Sequence, residues 1–302
     1  MRIAVTGASG FIGTELLGEL KKNKDVKVTA ITRGGSACAD SPFCTWMETD
    51  WSAGSLTEAL AGSEAVIHLA GVRGTSSDPA DYAVNLEMTK NLLEALSKAG
   101  TKRIVFASTI SVYDDVNGIP WKEESPLKGR TMYGESKIDC EKLIREYAAG
   151  CGFAYGIVRI AQVLGEGEKR RGMMNVFIDT AAAGGTLRVI GKSEAKRQYI
   201  YVKDLTKILA VLAIGSDTID IERSITVNAG MPEAYTNLEI AEAVNTVFGN
   251  KTPIEYDDST EETIRPSFMD ISRLKGLGFS PLDMDAALRE MKSEAGIRGA
   301  SS

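Results

Sequence analysis

Short apolar runs and stretches with helical spacing alternate along the first half of the chain. Residues 2–6 (RIAVT), 26–32 (VKVTAIT), 65–70 (AVIHLA), 103–108 (RIVFAS) and 153–160 (FAYGIVRI) predict strands. Between them, 11–22 (FIGTELLGELKK), 79–99 (PADYAVNLEMTKNLLEALSKA) and about 132–149 place apolar residues every third or fourth position, which predicts amphipathic helices. Pro79 suits a first helical turn, and Gly100 stands where a left-handed cap would end the helix. Strands alternating with helices imply an α/β fold with a parallel sheet, helices on both faces and right-handed crossovers. The rhythm changes after about residue 165. GEGEKRRG at 165–172 is a glycine-rich, charged loop or domain edge, and helices follow at 173–183, 203–214 and 236–248 with shorter apolar runs between them. This half is expected to form a smaller mixed α/β cap over the sheet. The division is 1–165 and 166–302, with segments near 198–228 returning to the first domain, and GIRGASS at the end forms a frayed tail.

At 302 residues the chain can bury a substantial core in one large domain or two smaller ones. Its formal charge of -6 carries no basic stripe, which argues against nucleic acid and anionic membranes as partners. A phosphorylated substrate remains open, because a few arginines in a cleft can hold one locally. No apolar run reaches the roughly eighteen residues of a membrane helix, and MRIAVTGASG passes straight into a strand without a secretory pattern, so a cytoplasmic location is expected. Cys38, Cys44, Cys140 and Cys151 form no CxxC pair and His68 is the lone histidine, so the expectation is reduced, structural thiols and no metal site.

Thr6-Gly7-Ala8-Ser9-Gly10-Phe11-Ile12-Gly13 follows the first strand and opens the first helix. Glycines at 7, 10 and 13 let the chain turn tightly and let its backbone approach a pyrophosphate, while the helix start offers free N–H groups and partial positive charge. The strand-turn-helix context makes this a dinucleotide-binding candidate and the fold a Rossmann-type doubly wound parallel sheet. About twenty residues on, a NAD-selective site usually places an acid against the adenosine ribose. Here the second strand ends Thr32-Arg33-Gly34-Gly35, and a guanidinium would pair with the 2′-phosphate of NADP. A solvated surface arginine is the alternative for Arg33. The cofactor is therefore NAD or NADP, with Arg33 leaning to NADP.

Tyr133 and Lys137 in YGESK lie four residues apart, on one face of a helix. An ammonium beside a phenol favours the phenolate, which can take a hydroxyl proton while hydride leaves the same carbon. The strand RIVFAS runs into Ser108-Thr109-Ile110-Ser111, bringing hydroxyls to the carboxyl end of a sheet strand, where open α/β sheets bind ligands.

Together, TGASGFIG, IHLAG, FASTISVY and YGESK resemble, in order and spacing, the NAD-dependent epimerase/dehydratase family of extended short-chain dehydrogenases. The likeness extends to Asn85 in YAVNLEMTKNLLEA, to VRIAQVLGEG, RQYIYVKDL and TVNAGMPEAYTNLEIAEAV, and so covers almost the whole chain. The resemblance implies that Gly7, Ser9, Gly10, Phe11, Ile12 and Gly13 hold the cofactor. It places Asp50 and Trp51 at adenine, with Leu69, Ala70, Gly71, Asn85 and Ser108 along the dinucleotide. Thr109, Tyr133 and Lys137 match the catalytic Ser/Thr, Tyr and Lys, the last two also contacting cofactor. On chemistry alone His68 can be a base; a lone histidine beside an apolar strand reads as structural, and the resemblance agrees. Many family members act on nucleotide diphosphate sugars, and Asn175, Arg197 and Arg265 resemble their diphosphate-binding side chains, alongside Thr109 in the substrate site.

Three departures narrow the reaction. Family dehydratases carry Asp-Glu after the catalytic threonine; Ile110 and Ser111 stand there instead, which disfavours dehydration. Asp114 replaces the glycine often found after Val-Tyr, and Arg33-Gly34 replaces the ribose-binding acid. The resemblance implies a nucleotide-sugar epimerase of the 4-epimerase type. The alternatives are an NADP(H)-dependent reductase or dehydrogenase of a sugar or other carbonyl, and a dinucleotide-binding sensor without catalysis. The family's four-helix pairing between subunits implies a homodimer through 79–99 and 132–149, where Ala83, Leu86, Leu143 and Ile144 are apolar.

Overall fold

The computed structural model describes residues 1–34, 39–74, 76–168, 172–191, 193–220, 222–257 and 265–299. Cys38 and Gly35 lie outside these.

The first half runs β1 (Arg2–Thr6), α1 (Phe11–Leu20), β2 (Lys27–Thr32), β3 (Cys44–Glu48), α2 (Ala53–Ala59), β4 (Ala65–His68), α3 (Ala80–Ala99), β5 (Arg103–Thr109), α4 (Met132–Cys151) and β6 (Ala154–Ile160). The second continues β7 (Gln162–Leu164), α5 (Met173–Ala182), β8 (Arg188–Ile190), β9 (Arg197–Tyr201), α6 (Val202–Ile214), β10 (Ile225–Ala229), β11 (Ala234–Tyr235), α7 (Asn237–Phe248), β12 (Glu255–Asp257), α8 (Ser272–Gly276) and α9 (Met284–Gly299).

Seven strands form one parallel sheet in the order β10-β6-β5-β4-β1-β2-β3. Its strands are apolar on both faces, as a sheet covered by helices on both sides requires. Along β1, Ile3 and Val5 pack with Leu16 of α1 and Leu209 of α6 on one face, while Ala4 packs with Leu56, Leu92 and Ile144 on the other. Chain direction across the sheet reverses between β1 and β4, so the crevice outside their carboxyl ends is where ligands bind in such folds. The register brings Thr6 level with His68 and Thr109 level with Ile160 at that edge.

A separate apolar cluster of Phe177, Leu187, Val189, Ile240, Val244 and Leu288 holds α5, α7, α9 and β8 together. β10 lies beside β6 at the edge of the main sheet, and α6 packs against α1. Strand β4 is shorter than its apolar run, because the chain leaves the sheet after His68 to pass over the glycine turn. Of the expected tail at 296–302, residues 296–299 are helical and 300–302 lie outside the described residues; Met284, Ala287, Leu288 and Met291, at helical spacing, seat α9 against α7. Among the described residues no helix is long and apolar enough to cross a membrane.

Candidate active site

The turn from β1 into α1 is shaped by what cannot fit there. Gly7 has a left-handed backbone (φ 69°), and a Cβ on it would stand 2.8 Å from the Ala70 nitrogen; at Gly13 a Cβ would stand 2.3 Å from the Gly7 carbonyl oxygen. The turn therefore lies flat against the chain leaving β4. Thr6 Oγ1 accepts the Ala70 N–H at 3.2 Å and bonds His68 Nδ1 at 2.7 Å. His68 also meets Thr89 Oγ1 through Nε2 at 3.3 Å, and burial, aided by the Lys137 charge, pushes it down to about 3. The ring is thus a neutral strut behind the crevice and does not line it. Helix α1 begins at Gly10 with no side-chain cap, so its first N–H groups are left for the crevice.

That crevice is a cavity of about 380 Å³ lined by Gly7, Ser9, Gly10, Phe11, Ile12 and Gly13 on one side. Leu69, Gly71, Ser108, Thr109, Tyr133 and Lys137 line the other. Ala70 and Asn85 are absent from the wall but shape it. Asn85 accepts the Val72 N–H at 2.7 Å and donates to the Val72 carbonyl at 3.0 Å and to Ser136 Oγ at 3.2 Å, clamping the segment after β4. A second cavity of about 440 Å³ lies past the ends of β2 and β3, lined by Arg33, Asp50, Trp51, Ser52, Val84, Glu87, Met88 and Asn91. Asp50 Oδ1 accepts from Ser55 Oγ at 2.5 Å and the Ser52 N–H at 2.9 Å, which holds its carboxyl at about 2. The buried Trp51 indole N–H has no partner among the described residues.

Thr131 caps α4 by accepting the Gly134 N–H at 3.1 Å, which sets Tyr133 in the first turn and Lys137 one turn on. The four-residue spacing predicts an ammonium near the phenol. The structure instead has Lys137 Nζ donating to the Ala107 carbonyl at 2.9 Å, with the nitrogen 4.4 Å from the Phe106 ring centre and 5.9 Å from that of Tyr133. The helix stands on β5, so the long side chain reaches the strand carbonyl first. Burial lowers the Lys137 pKa, opposed by Cys140 and Glu141. Burial also pushes the Tyr133 phenol up to about 12, and Arg73 acts in the opposite direction. Thr109 Oγ1 accepts the Ser111 N–H at 3.2 Å, which leaves its own hydrogen to donate. Ser108 lines the cavity, but its hydroxyl donates to Glu141.

A third cavity of about 600 Å³ adjoins the first and shares Arg73, Thr109, Tyr133, Ile160, Ala161, Val163 and Glu168 with it. Its far wall is the start of α5, from Gly172 to Asn175, with Arg197, Tyr199, Ser267 and Arg130. Gly172 supplies no side-chain cap, so this second helix start is also open. Arg197 bonds Asn237 Oδ1, and its buried Nε has no partner among the described residues. Arg265 is not brought to this wall. Its guanidinium donates to Asp114 Oδ1 at 3.0 Å and is half-exposed. Arg130 lines the cavity where the sequence pattern favours Arg265. Asp114, the departure after Val-Tyr, anchors Arg265 and lies 3.9 Å from Arg130. Sequence reasoning also passed over Arg73 and Glu168, paired at 3.0 Å in the walls of both cavities. Their signal was charge inside two glycine-rich loops that follow strands.

A family model for the NAD dependent epimerase/dehydratase family matches residues 3–229. The chain is similar to the UDP-N-acetylglucosamine 4-epimerase of Bacillus cereus, with 31% identity, 96% of this chain and 95% of that one covered, and a TM-score of 0.84. The UDP-N-acetylglucosamine 4-epimerase of Methanobrevibacter ruminantium M1 has 25% identity, 96% of both chains covered and a TM-score of 0.82. The UDP-glucose 4-epimerase of Bacillus subtilis is 26% identical over 311 residues, covering 91% of this chain and 90% of its own.

Proposed function

The chain belongs to the NAD dependent epimerase/dehydratase family, and from that premise we propose that it is a nucleotide-sugar 4-epimerase. The observation that supports this most is the junction of the two adjoining cavities at Thr109 and Tyr133. One cavity fits a dinucleotide, with its flat glycine turn and open α1 start; the other offers the open α5 start, Asn175 and Arg197 to a diphosphate. The reacting sugar carbon belongs where the same two hydroxyl groups face both.

In this reading Gly7, Ser9, Gly10, Phe11, Ile12 and Gly13 hold the pyrophosphate of the cofactor. Asp50, Trp51 and Arg33 stand at its adenosine end, and Leu69, Gly71, Ser108 and Lys137 at its nicotinamide end. Bound there, NAD supplies the acceptor and donor of hydride and a positive ring near the phenol. Tyr133 removes the proton of the sugar hydroxyl and later returns it. Bringing its phenol from about 12, a value that already includes the pull of Arg73, to neutrality takes about 7 kcal/mol of differential stabilisation, to which the cofactor's charge would contribute. Thr109 donates its free hydrogen to the same substrate oxygen and stabilises charge during transfer. Lys137, fixed by the Ala107 carbonyl, keeps two further N–H donors for the cofactor. Arg197, Asn175, Arg130 and the α5 start grip the diphosphate while the oxidised sugar turns over in the roomy cavity and takes the hydride back on its other face.

Arg33, exposed at the adenosine cavity, favours a second reading as an NADP(H)-dependent reductase. Denaturing the purified protein and identifying the released dinucleotide separates the two: NAD near one per chain supports the epimerase, and an empty protein that binds NADPH above NADH supports the reductase. We further propose a cofactor-binding domain of residues 1–165 rejoined by 198–228, a substrate-binding domain of residues 166–302, a homodimer through α3 and α4, and action in the cytoplasm. Incubation with UDP-glucose and UDP-N-acetylglucosamine, followed by chromatography for the 4-epimers, tests the main reading. Epimer from either supports it, and no epimer from any UDP- or GDP-sugar rejects it.

A further inference from the structure

The groups assigned to the chemistry come from two separate elements. Thr109 ends β5, while Tyr133 and Lys137 ride on α4, so their geometry depends on how the helix is registered on the strand. Gly134 lies so close that a Cβ there would stand 2.1 Å from the Ser111 carbonyl oxygen. Two polar contacts at consecutive strand residues then fix the position. Lys137 Nζ donates to the Ala107 carbonyl, and Ser108 Oγ donates to Glu141 Oε1 at 2.6 Å.

Glu141 is one helical turn beyond Lys137 and only 1% exposed. Arg159 of β6, 2% exposed, grips it with Nε to Oε1 at 3.0 Å and Nη2 to Oε2 at 2.7 Å. Through Nη1 the same guanidinium donates to the Tyr113 hydroxyl at 2.7 Å and the Glu123 carbonyl at 2.8 Å. The Tyr113 hydroxyl in turn bonds Asn228 Oδ1 of β10 at 2.9 Å. One buried charge pair thus ties α4 to β5, β6 and β10 at the level of the reacting groups.

Stability does not account for such a pair. Taking both charges out of water offsets most of their attraction, and a well-packed apolar pair of the same shape is as stable or more so. What a bidentate fork supplies is register: sliding α4 along β5 by one residue would leave both charges buried and unpaired. Glu141 also has an electrostatic role. The groups facing the Lys137 ammonium are Tyr133, Cys140 and Glu141 from its own helix, His68 from β4 and the Phe106 ring from β5. Among these Glu141 is the one carboxylate.

We propose that Glu141, locked by Arg159 and Ser108, is the positioning residue that registers the Tyr133–Lys137 helix on the Thr109 strand. This rests on the function proposed above and acts through Lys137, without contact to substrate. Burial works against the Lys137 ammonium and Glu141 works for it.

Two variants of the 302-residue chain test the proposal, with Glu141→Gln removing the charge and the pair Glu141→Leu with Arg159→Met replacing the fork by apolar packing. For both, kcat is expected to fall at least tenfold with KM for the nucleotide sugar within twofold. In Glu141→Gln, where the Arg159 guanidinium loses its counter-charge, the alkaline limb of the kcat profile moves to lower pH because Lys137 loses its proton earlier, and Glu141→Asp recovers part of both effects. The apolar double variant keeps or raises the melting temperature, which separates positioning from folding. Wild-type kcat in the folded double variant would overturn the proposal, as would a Glu141→Gln protein changed only in melting temperature. NMR titration of lysines carbon-13-labelled at Cε, with Lys137→Met for assignment, reads the charge without turnover. A lower Lys137 pKa in Glu141→Gln is expected whether or not the chain is an epimerase, and an unchanged value overturns the electrostatic role.

Discussion

At Tyr133 the surroundings keep the phenol protonated until something else enters the cleft. Burial pushes it up to about 12, and Lys137, occupied at the Ala107 carbonyl, makes no bond to it. Tyr133→Phe keeps the ring and loses the proton carrier, so kcat should drop by about 10²–10⁴-fold while fluorescence titration finds dinucleotide binding unchanged. His68 carries a different prediction. An unfolded histidine binds a proton below about 6.5, whereas the folded ring resists until about 3. Its contribution to stability is therefore complete above 6.5 and is lost as pH falls from 6.5 toward 3, amounting to about 2 kcal/mol by pH 5. Denaturant midpoints at pH 7 and pH 5 should show a smaller difference for His68→Asn than for the wild type. Gly7, Thr109, Tyr133 and Lys137 line one cavity, a grouping that the spacing of the glycine turn, the strand end and the helix pair already suggested. Arg265 was expected at the diphosphate and Arg130 was not singled out, since where a loop arginine ends depends on contacts between distant segments, such as Arg265 with Asp114, that only the fold supplies. The hydroxyl of Ser108 looked available for the same reason: its partner Glu141 is distant in sequence.

Among the elements, α1 is the most exacting, because its first turn touches backbone on both sides. A Cβ at Gly13 would meet the Gly7 carbonyl and the Ala8 backbone, neither of which can swing aside as a side chain could. Gly13→Ala should destabilise the fold by about 1–3 kcal/mol and abolish dinucleotide binding, checked by thermal melting and fluorescence titration. Long periodic helices were readable, and α3 and α4 end at Gly100 and Gly152, both with φ 71°. Short elements escaped. β3 is a half-buried edge strand of five residues, and the seven-residue α2 owes its start to the Ser52 cap rather than to an apolar stripe. The open start of α5 was also hidden, since an absent cap is visible only once the helix boundary is known.

For the whole molecule, alternation of apolar runs was enough to expect a parallel sheet with helices on both faces. It did not place β10 at the sheet edge, because that pairing joins segments far apart in the chain. The outer surface of α3 and α4 leaves Leu86 and Met132 each 37% exposed, while Ile144 is buried against the sheet. A homodimer through this surface should become monomeric on Leu86→Arg, as read by size-exclusion chromatography with light scattering. In the proposed reaction, hydride leaves a sugar carbon and returns to it. The direct test is to incubate the purified protein, with no added dinucleotide, with UDP-glucose or UDP-N-acetylglucosamine carrying deuterium at C4. The expected product is the C4 epimer with deuterium retained and no net reduced dinucleotide. Deuterium lost to solvent, or product formed only with stoichiometric NADPH, would contradict it.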